Sequence, residues 1–343
     1  MLIDFLERSV FIIIVLIRLT INSEAQVKAD QPVRIMFYNA ENFFDTFDDT
    51  LRDDNDFLPG GLMRWNLTRY TNKISSVYRT IVAAGEWEPP AIVAFCEIEN
   101  RKVLEDLTNR TYLSKYNYGI IHEESPDPRG IDVCLIYRKD LVKVVDYKYW
   151  IPDIRGKGEF SSRSVLYTEF VTHGDTIHLI VNHWPSRRGG VLAREDSRLD
   201  IADMVRNRAD SVYKTHSSGA KILIVGDFNC TPDDREIQRL LLTCQGCNEL
   251  IDLSAAMAMD GSGTYRYQGN WEMIDQVIAN EALLKPLVGL STGEKLVKVF
   301  NPGFLLVKDP IYPGYQPYST YRGYKYQGGF SDHLPVLIDL VEK

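Results

Sequence analysis

Short apolar runs recur along the chain, most of them ending on a polar residue, and segments of helical period are set between them. Val33 to Asn39 predicts a strand, and Ala91 to Ile98, entered through Pro89-Pro90, a buried one. Tyr70, Ile74, Val77, Tyr78 and Ile81 recur at helical spacing, so a helix is expected from about Arg64 to Ala84. Four strands are expected at Ile131 to Tyr137, Val142 to Trp150, Ser164 to Thr172 and Thr176 to His183. A charged amphipathic helix, Arg194 to Lys214, precedes a very apolar strand, Lys221 to Phe228. A short helix follows at Asp233 to Leu242, with Thr231 as cap and Pro232 in the first turn. Late strands are expected at Ile274 to Ala279 and Leu334 to Leu340. A doubly wound parallel sheet needs strict strand–helix alternation, which residues 131 to 184 break. Two packed sheets with helices outside fit the pattern better. No long linker, low-complexity tract or repeat shows after residue 32.

The N-terminus departs from this pattern. Val10 to Ile17 is a continuous apolar run between Arg8 and Arg18, and Ser23-Glu24-Ala25 resembles a signal-peptidase site. The run is short for a membrane span. Residues 1–25 are therefore expected to be a signal peptide, with a retained anchor as the alternative, and residues 26–343 a single exported domain, periplasmic or extracellular. After processing, no stable membrane span and a monomer are expected. The composition, 45% hydrophobic and 25% charged, is that of a globular protein and excludes a disordered chain or a multi-span membrane protein.

The net charge of −8 gives no sign of the basic footprint of a strong nucleic-acid binder, although a local basic strip would be hidden in that total. The strongest acidic run, Asp45 to Asp56, reads either as a solvated loop or as an accessory cation site. Of five cysteines, Cys96, Cys134 and Cys230 lie in or beside apolar runs and read as buried small hydrophobes. Cys244 and Cys247 form a Cys-x-x-Cys pair, open to a local disulfide in an exported protein or to a redox motif, while no second ligand pair has the spacing of a zinc site.

Candidate chemistry sits where the apolar runs end. Asn39 closes the first strand, Glu97 the second, Asn182-His183-Trp184 the run from Ile177, and Asp227 and Asn229 the run from Ile222; Asp332-His333 precedes the last strand. Singly, each has an ordinary explanation: an Asn at a strand end is usually a turn residue, and an Asp before a strand caps a turn. A carboxylate leaving a buried strand, as Glu97 does, needs a cation or several hydrogen bonds.

Together, Tyr38-Asn39-Ala-Glu-Asn42, Cys96-Glu97, Asn182-His183-Trp184, Gly226-Asp227-Phe228-Asn229, Ile274-Asp275-Gln-Val277 and Ser331-Asp332-His333-Leu-Pro335 follow the order of one family. Over about residues 33 to 341 the sequence resembles the endonuclease/exonuclease/phosphatase superfamily, in its wording a bacterial extracytoplasmic branch. The resemblance implies a four-layered α/β sandwich of two mixed β-sheets flanked by helices, as in DNase I-like proteins, and Mg²⁺-dependent hydrolysis of phosphoesters with Mn²⁺ as a substitute. Glu97 is then the first metal ligand, with Asn39 and Asp332 beside it. Asp227 orients or deprotonates the attacking water or protonates the leaving group. Asn229 and His183 donate to phosphate oxygens, His333 is the general acid/base, and Asp275 stands behind it or near the phosphate.

Arg129, in Arg129-Gly-Ile-Asp132, and Arg163 either meet phosphate or serve turns. Arg187 and Arg188, just after Trp184, would meet flanking phosphates. Tyr312 to Tyr326 interleaves six tyrosines with Arg322 and Lys325, which suits base stacking or an ordered loop packed on the last strand. His122, His173 and His178 belong to no motif. The leading expectation is a nuclease acting on nucleic acid outside the cytoplasm. The alternatives are a lipid, sugar or inositol phosphodiesterase or phosphatase, and a binding protein that keeps the fold without activity.

Overall fold

Along the first strand, β1 (Val33–Phe43), Val33, Ile35 and Phe37 pack to one side, Met36 and Tyr38 to the other, and all five are buried. A strand buried on both faces belongs in the middle of a layered structure. The computed structural model describes residues 31–154, 162–187, 190, 192, 194–216, 219–243 and 248–343. The expected signal peptide, Arg188, Cys244 and Cys247 lie outside the described residues.

The chain continues through α1 (Leu67–Gly85), β2 (Ile92–Ile98), α2 (Arg101–Asn109), β3 (Tyr118–Ile121), β4 (Asp132–Arg138), β5 (Lys143–Trp150), β6 (Val165–Thr172) and β7 (Asp175–His183). Then come α3 (Glu195–Thr215), β8 (Lys221–Asp227), α4 (Arg235–Leu241), β9 (Leu250–Asp252), the hairpin β10 (Tyr265–Tyr267) and β11 (Asn270–Glu272), and β12 (Asp275–Asn280). The short strands β13 (Leu290–Ser291), β14 (Val297–Val299), β15 (Leu306–Lys308), β16 (Tyr315–Pro317), β17 (Tyr321–Arg322) and β18 (Lys325–Tyr326) lead to β19 (Val336–Glu342).

Two mixed sheets result, in the orders β13-β19-β1-β2-β4-β3, with β14 also on β19, and β5-β6-β7-β8-β12-β9. Ile35, Phe37, Ala94 and Leu135 of one meet Leu179, Val181, Val225 and Val277 of the other in one buried apolar core. Each such aliphatic side chain contributes roughly 1.5–3 kcal/mol on burial. α1 and α2 cover the outer face of the first sheet and α3 and α4 that of the second, so the expected four layers are present. Among the described residues no helix is long and apolar enough to cross a membrane.

The two halves repeat a topology that the sequence hides. β1-α1-β2-α2-β3-β4 and β7-α3-β8-α4-β9-β12 each begin with a parallel pair and end with two antiparallel strands in the order first, second, fourth, third. The crossover helices α1 and α3 return the chain so that β1 and β2, and likewise β7 and β8, end on the same side. That topology gathers the polar residues that close the apolar runs.

Several boundaries move for local reasons. α1 starts at Leu67 rather than Arg64 because the Asn66 side chain caps it, accepting from Arg69 N at 3.1 Å. α4 starts at Arg235, with Asp234 in the cap position expected of Thr231; the Asp234 carboxylate takes Thr231 N at 2.6 Å and Thr231 Oγ1 at 2.8 Å. β1 runs on past Asn39 to Phe43 through a register shift. Much of the acidic run builds its own loop: Asp45 accepts Phe47 N and Asn100 Nδ2, Asp49 accepts Leu51 N, and Asp54 accepts Asp49 N. Cys96, Cys134 and Cys230 are buried free thiols.

Candidate active site at the strand ends

Strand pairing sets three of the candidate residues side by side. His183 is the register partner of Asp227 across β7 and β8, and Asp227 that of Asp275 across β8 and β12. Gly226 is required one step earlier: a Cβ there would stand 2.5 Å from Asn182 O, so the parallel strands approach this closely only with glycine. Asn182 and Trp184 lock the turn, through Trp184 Nε1 to Asn182 Oδ1 at 3.2 Å and Trp184 N to Asp227 O at 2.9 Å.

The first sheet supplies the other half. Glu41, Asn42 and Glu97 lie in register irregularities of β1 and β2 at φ 49°, 46° and 61°. Asn229 is also left-handed, at φ 51°. Strained non-glycine backbone of this kind persists where its surroundings enforce it, and it concentrates at functional sites. Bulges re-aim side chains. Here Asn39 Nδ2 donates to Asp227 Oδ2 at 3.0 Å, joining the two sheets, and Glu97 Oε2 accepts Asn42 N at 2.7 Å.

Asp227 is the hub. Its Oδ1 accepts Asn229 N at 2.9 Å, and its Oδ2 lies 3.7 Å from His183 Nε2 and 3.9 Å from His333 Nε2. Burial pushes its carboxyl up to about 7, against the pull of His333. His333 Nδ1 stands 2.7 Å from Asp275 Oδ2, and the loop before it is pinned by Ser331 Oγ donating to Asn39 O at 2.7 Å. Burial alone would depress the His333 imidazole, but the surrounding carboxylates of Asp275, Asp227 and Asp332 hold it well above its ordinary value. The Tyr265 ring tilts against it, centroids 5.0 Å apart.

His183 goes the other way. Burial and then the Arg163 guanidinium push it well below its ordinary value, so it is neutral. Its Nδ1 and Nε2 lie 3.2 Å and 2.8 Å from Arg163 Nε and Nη2. A guanidinium only donates, so His183 accepts from it at one nitrogen alone, Nδ1 from Arg163 Nε, and carries its proton on Nε2. Arg163 is itself buried, with Nη1 3.6 Å from Asp127 Oδ2, and Arg129 Nε is 3.6 Å from Asp127 Oδ1.

Asn39, Glu97, His183, Asp227, Asn229, Asp275 and His333 thus form one constellation. Asp332 lies near enough to Glu97 for that charge to add to burial in pushing its carboxyl up. Asn229 Nδ2 is engaged by Trp184 O at 3.0 Å, and Arg187 by Asp234. Two further buried residues belong here: Glu41, which stands in the Tyr38–Asn42 motif without a role read for it and whose carboxylate accepts Thr320 N at 2.6 Å and Tyr321 N at 3.1 Å, and Lys73, 4.0 Å from it. Lys73 Nζ donates to Thr320 Oγ1 at 2.5 Å and Phe330 O at 2.6 Å. Carboxylates at Glu97 and Asp332 with an amide at Asn39 form the hard oxygen set that a small divalent cation takes, keeping waters elsewhere. The Asn39 carbonyl already accepts Glu41 N at 2.9 Å, so its second lone pair would serve. Cys96 lies within ligand distance of His183 and Asp227, but burial pushes its thiol well up and away from the metal-binding thiolate.

The Tyr312–Tyr326 segment divides. Tyr321 packs on Trp65, Phe57 and Tyr326, and Tyr318 on Phe330, whereas Tyr312, Tyr315 and Tyr324 are exposed. Of the other histidines, His178 is a buried strand-face residue, its Nδ1 3.0 Å from Tyr167 OH, and His173 pairs with Glu342 at 3.4 Å.

No curated protein matches the chain at the level of sequence. Solved structures share its fold. The human Nocturnin catalytic domain superposes with a TM-score of 0.57 at 14% identity, covering 91% of this chain and 95% of that one. A mannosyl-6-phosphatase from Bacteroides thetaiotaomicron gives 0.55 at 14%, covering 90% and 99%. TDP2 from D. rerio, complexed with a single strand DNA product, gives 0.54 at 13%, covering 91% and 99%. The model of the Endonuclease/Exonuclease/phosphatase family matches residues 34–342, nearly the whole chain, and the chain therefore belongs to that family.

Proposed function

We propose that this protein hydrolyses phosphodiesters with a divalent cation, Mg²⁺ with Mn²⁺ as substitute, and acts as a nuclease outside the cytoplasm. The observation that carries the reaction class is the convergence on Asp227 Oδ2 of Asn39 Nδ2 at 3.0 Å, His183 Nε2 at 3.7 Å and His333 Nε2 at 3.9 Å. A carboxylate held from both oxygens, with a carboxyl near 7, orients an attacking water and accepts its proton at neutral pH. His333, kept protonated by its carboxylate neighbours, donates from Nε2 to phosphate as negative charge develops. His183, neutral and with Nδ1 taken by Arg163 Nε, donates from Nε2 to a second phosphate oxygen, and Arg163 beside it supplies positive charge. A divalent cation held by Glu97, Asp332 and Asn39 neutralises charge on the phosphate when bound.

The family match supports phosphoester hydrolysis at large. Exposed Tyr312, Tyr315 and Tyr324 near Arg322 and Lys325 support nucleic acid, since aromatic rings stack bases and basic groups pair phosphates. The apolar run before Gln26 supports export. A second reading, a sugar phosphoester, is favoured by the net charge of −8 and by the pairing of Arg187, an expected phosphate contact, with Asp234 instead. Cleavage of single-stranded and plasmid DNA is to be compared with that of hexose phosphates at about 50 and 200 mM salt. Steep loss of DNA cleavage with salt is expected of the nuclease; turnover of hexose phosphate alone, insensitive to salt, sinks it.

A further inference from the structure

Outside the constellation around Asp227, one polar cluster stands out. His122 follows β3, Asp132 opens β4, and Glu124 lies in the loop between. Their ligand atoms lie within 4.8 Å of one another. The side chains of His122 and Asp132 are 2% and 1% exposed. His122 Nε2 and Asp132 Oδ2 are 3.1 Å apart, yet neither atom makes a hydrogen bond. Buried polar atoms left so are rare, and an ion is one of the few explanations.

The separation has a direct reading. Adjacent ligands bonded at about 2.1 Å stand about 3.0 Å apart around a six-coordinate ion and about 3.4 Å apart around a tetrahedral one, so this separation suits either. Asp132 Oδ1 is occupied by Ser125 N at 2.8 Å, which fixes the carboxylate and presents Oδ2. Glu124 is half exposed and free to swing in; the charges of Asp132 and Asp49 add to burial in pushing its carboxyl up, against His122 and Arg52. Arg52 approaches Glu124 only to 3.9 Å, with Nη1 given to Asp127 O at 3.1 Å.

We propose that His122, Asp132 and Glu124 bind a second divalent cation that clamps the base of the loop between β3 and β4. One imidazole with two carboxylates selects a transition ion of the Zn²⁺ or Mn²⁺ kind over Mg²⁺ or Ca²⁺, which take oxygen sets. The loop it closes carries Asp127 and Arg129, and Asp127 is the carboxylate against Arg163 and so behind His183. The acidic Asp45–Asp56 segment leans on the same loop, through Asp53 N to Pro128 O at 2.8 Å.

The test reads binding, so it stands whether or not the chain turns over phosphoesters. In full-length Glu97→Ala, which removes the leading ligand of the catalytic cluster, Zn²⁺ and Mn²⁺ are titrated by equilibrium dialysis and by melting temperature. We expect one ion per chain and a saturable rise of several degrees. Adding His122→Ala is expected to abolish both; adding Glu124→Ala, at a half-exposed position that leaves folding intact, is expected to weaken affinity at least about tenfold. If His122→Ala fails to fold, Glu124→Ala decides. No ion bound by the parent, or equal affinity after Glu124→Ala, overturns the proposal.

Discussion

Asp275 Oδ2 lies 2.7 Å from His333 Nδ1, and this pair fixes which nitrogen of His333 faces the reaction. With Nδ1–H directed at the carboxylate, Nε2 turns to Asp227. Asp275→Asn removes the charge that keeps the ring protonated but keeps its shape. We expect kcat to fall about 10²-fold with KM nearly unchanged, and His333→Ala to lower kcat about 10³-fold. Steady-state kinetics on a chromogenic diester measures both. A matching rise in KM at constant kcat in Asp275→Asn contradicts the assigned role.

Arg163 holds His183 and Asp127 at once, wholly buried. Arg163→Gln leaves Asp127 without that partner and frees His183 from the charge that depresses it. A loss of about 3 kcal/mol in urea unfolding is expected, the size typical of breaking a buried pair. The His183 ring should also titrate at higher pH by NMR. Unchanged stability together with an unchanged His183 titration refutes this reading.

The buried acids make the metal-free protein sensitive to alkali. Burial raises Glu41 and Asp227 to about 7 and Glu99 to about 8. A raised folded-state value means stability present in full below the unfolded value and lost as pH climbs through the folded one. Raised His333 has the same sign. Depressed His183 and His178, the latter at about 4, lose stability only as pH falls below 6.5, outside this window; Lys73, depressed by burial, has the opposite sign within it and offsets one of the four raised groups. In EDTA the melting temperature should therefore fall steadily from pH 6.5 to 8.5, and Mg²⁺ should reverse much of the fall. A flat or rising profile in EDTA contradicts it.

What the sequence disclosed depended on how local the signal was. Strands buried on both faces announce themselves as apolar runs, and Asn39, Glu97, His183 and Asp227 were legible as polar stops to such runs. Lys73 was not: it lies on the buried stripe of α1, three residues after Tyr70 and four before Val77, where an apolar residue is expected and a lysine survives only by reaching Thr320 and Phe330. Its place in that stripe was the available signal. The hairpin β10–β11 leaves little periodicity to read because its strands are three residues long, although Gln268-Gly269, both at positive φ, is a two-residue turn sequence. His122 and Asp132 lie ten residues apart, and only the antiparallel pairing of β3 with β4 brings them together.

The most direct test of the account is hydrolysis of bis-(p-nitrophenyl) phosphate by the chain from Gln26, in Mg²⁺, Mn²⁺ or EDTA, beside Asp227→Ala. Turnover with either ion, none in EDTA, and a loss of at least about 10³-fold in the variant are expected. Turnover that survives EDTA or Asp227→Ala, or none with either ion, contradicts it.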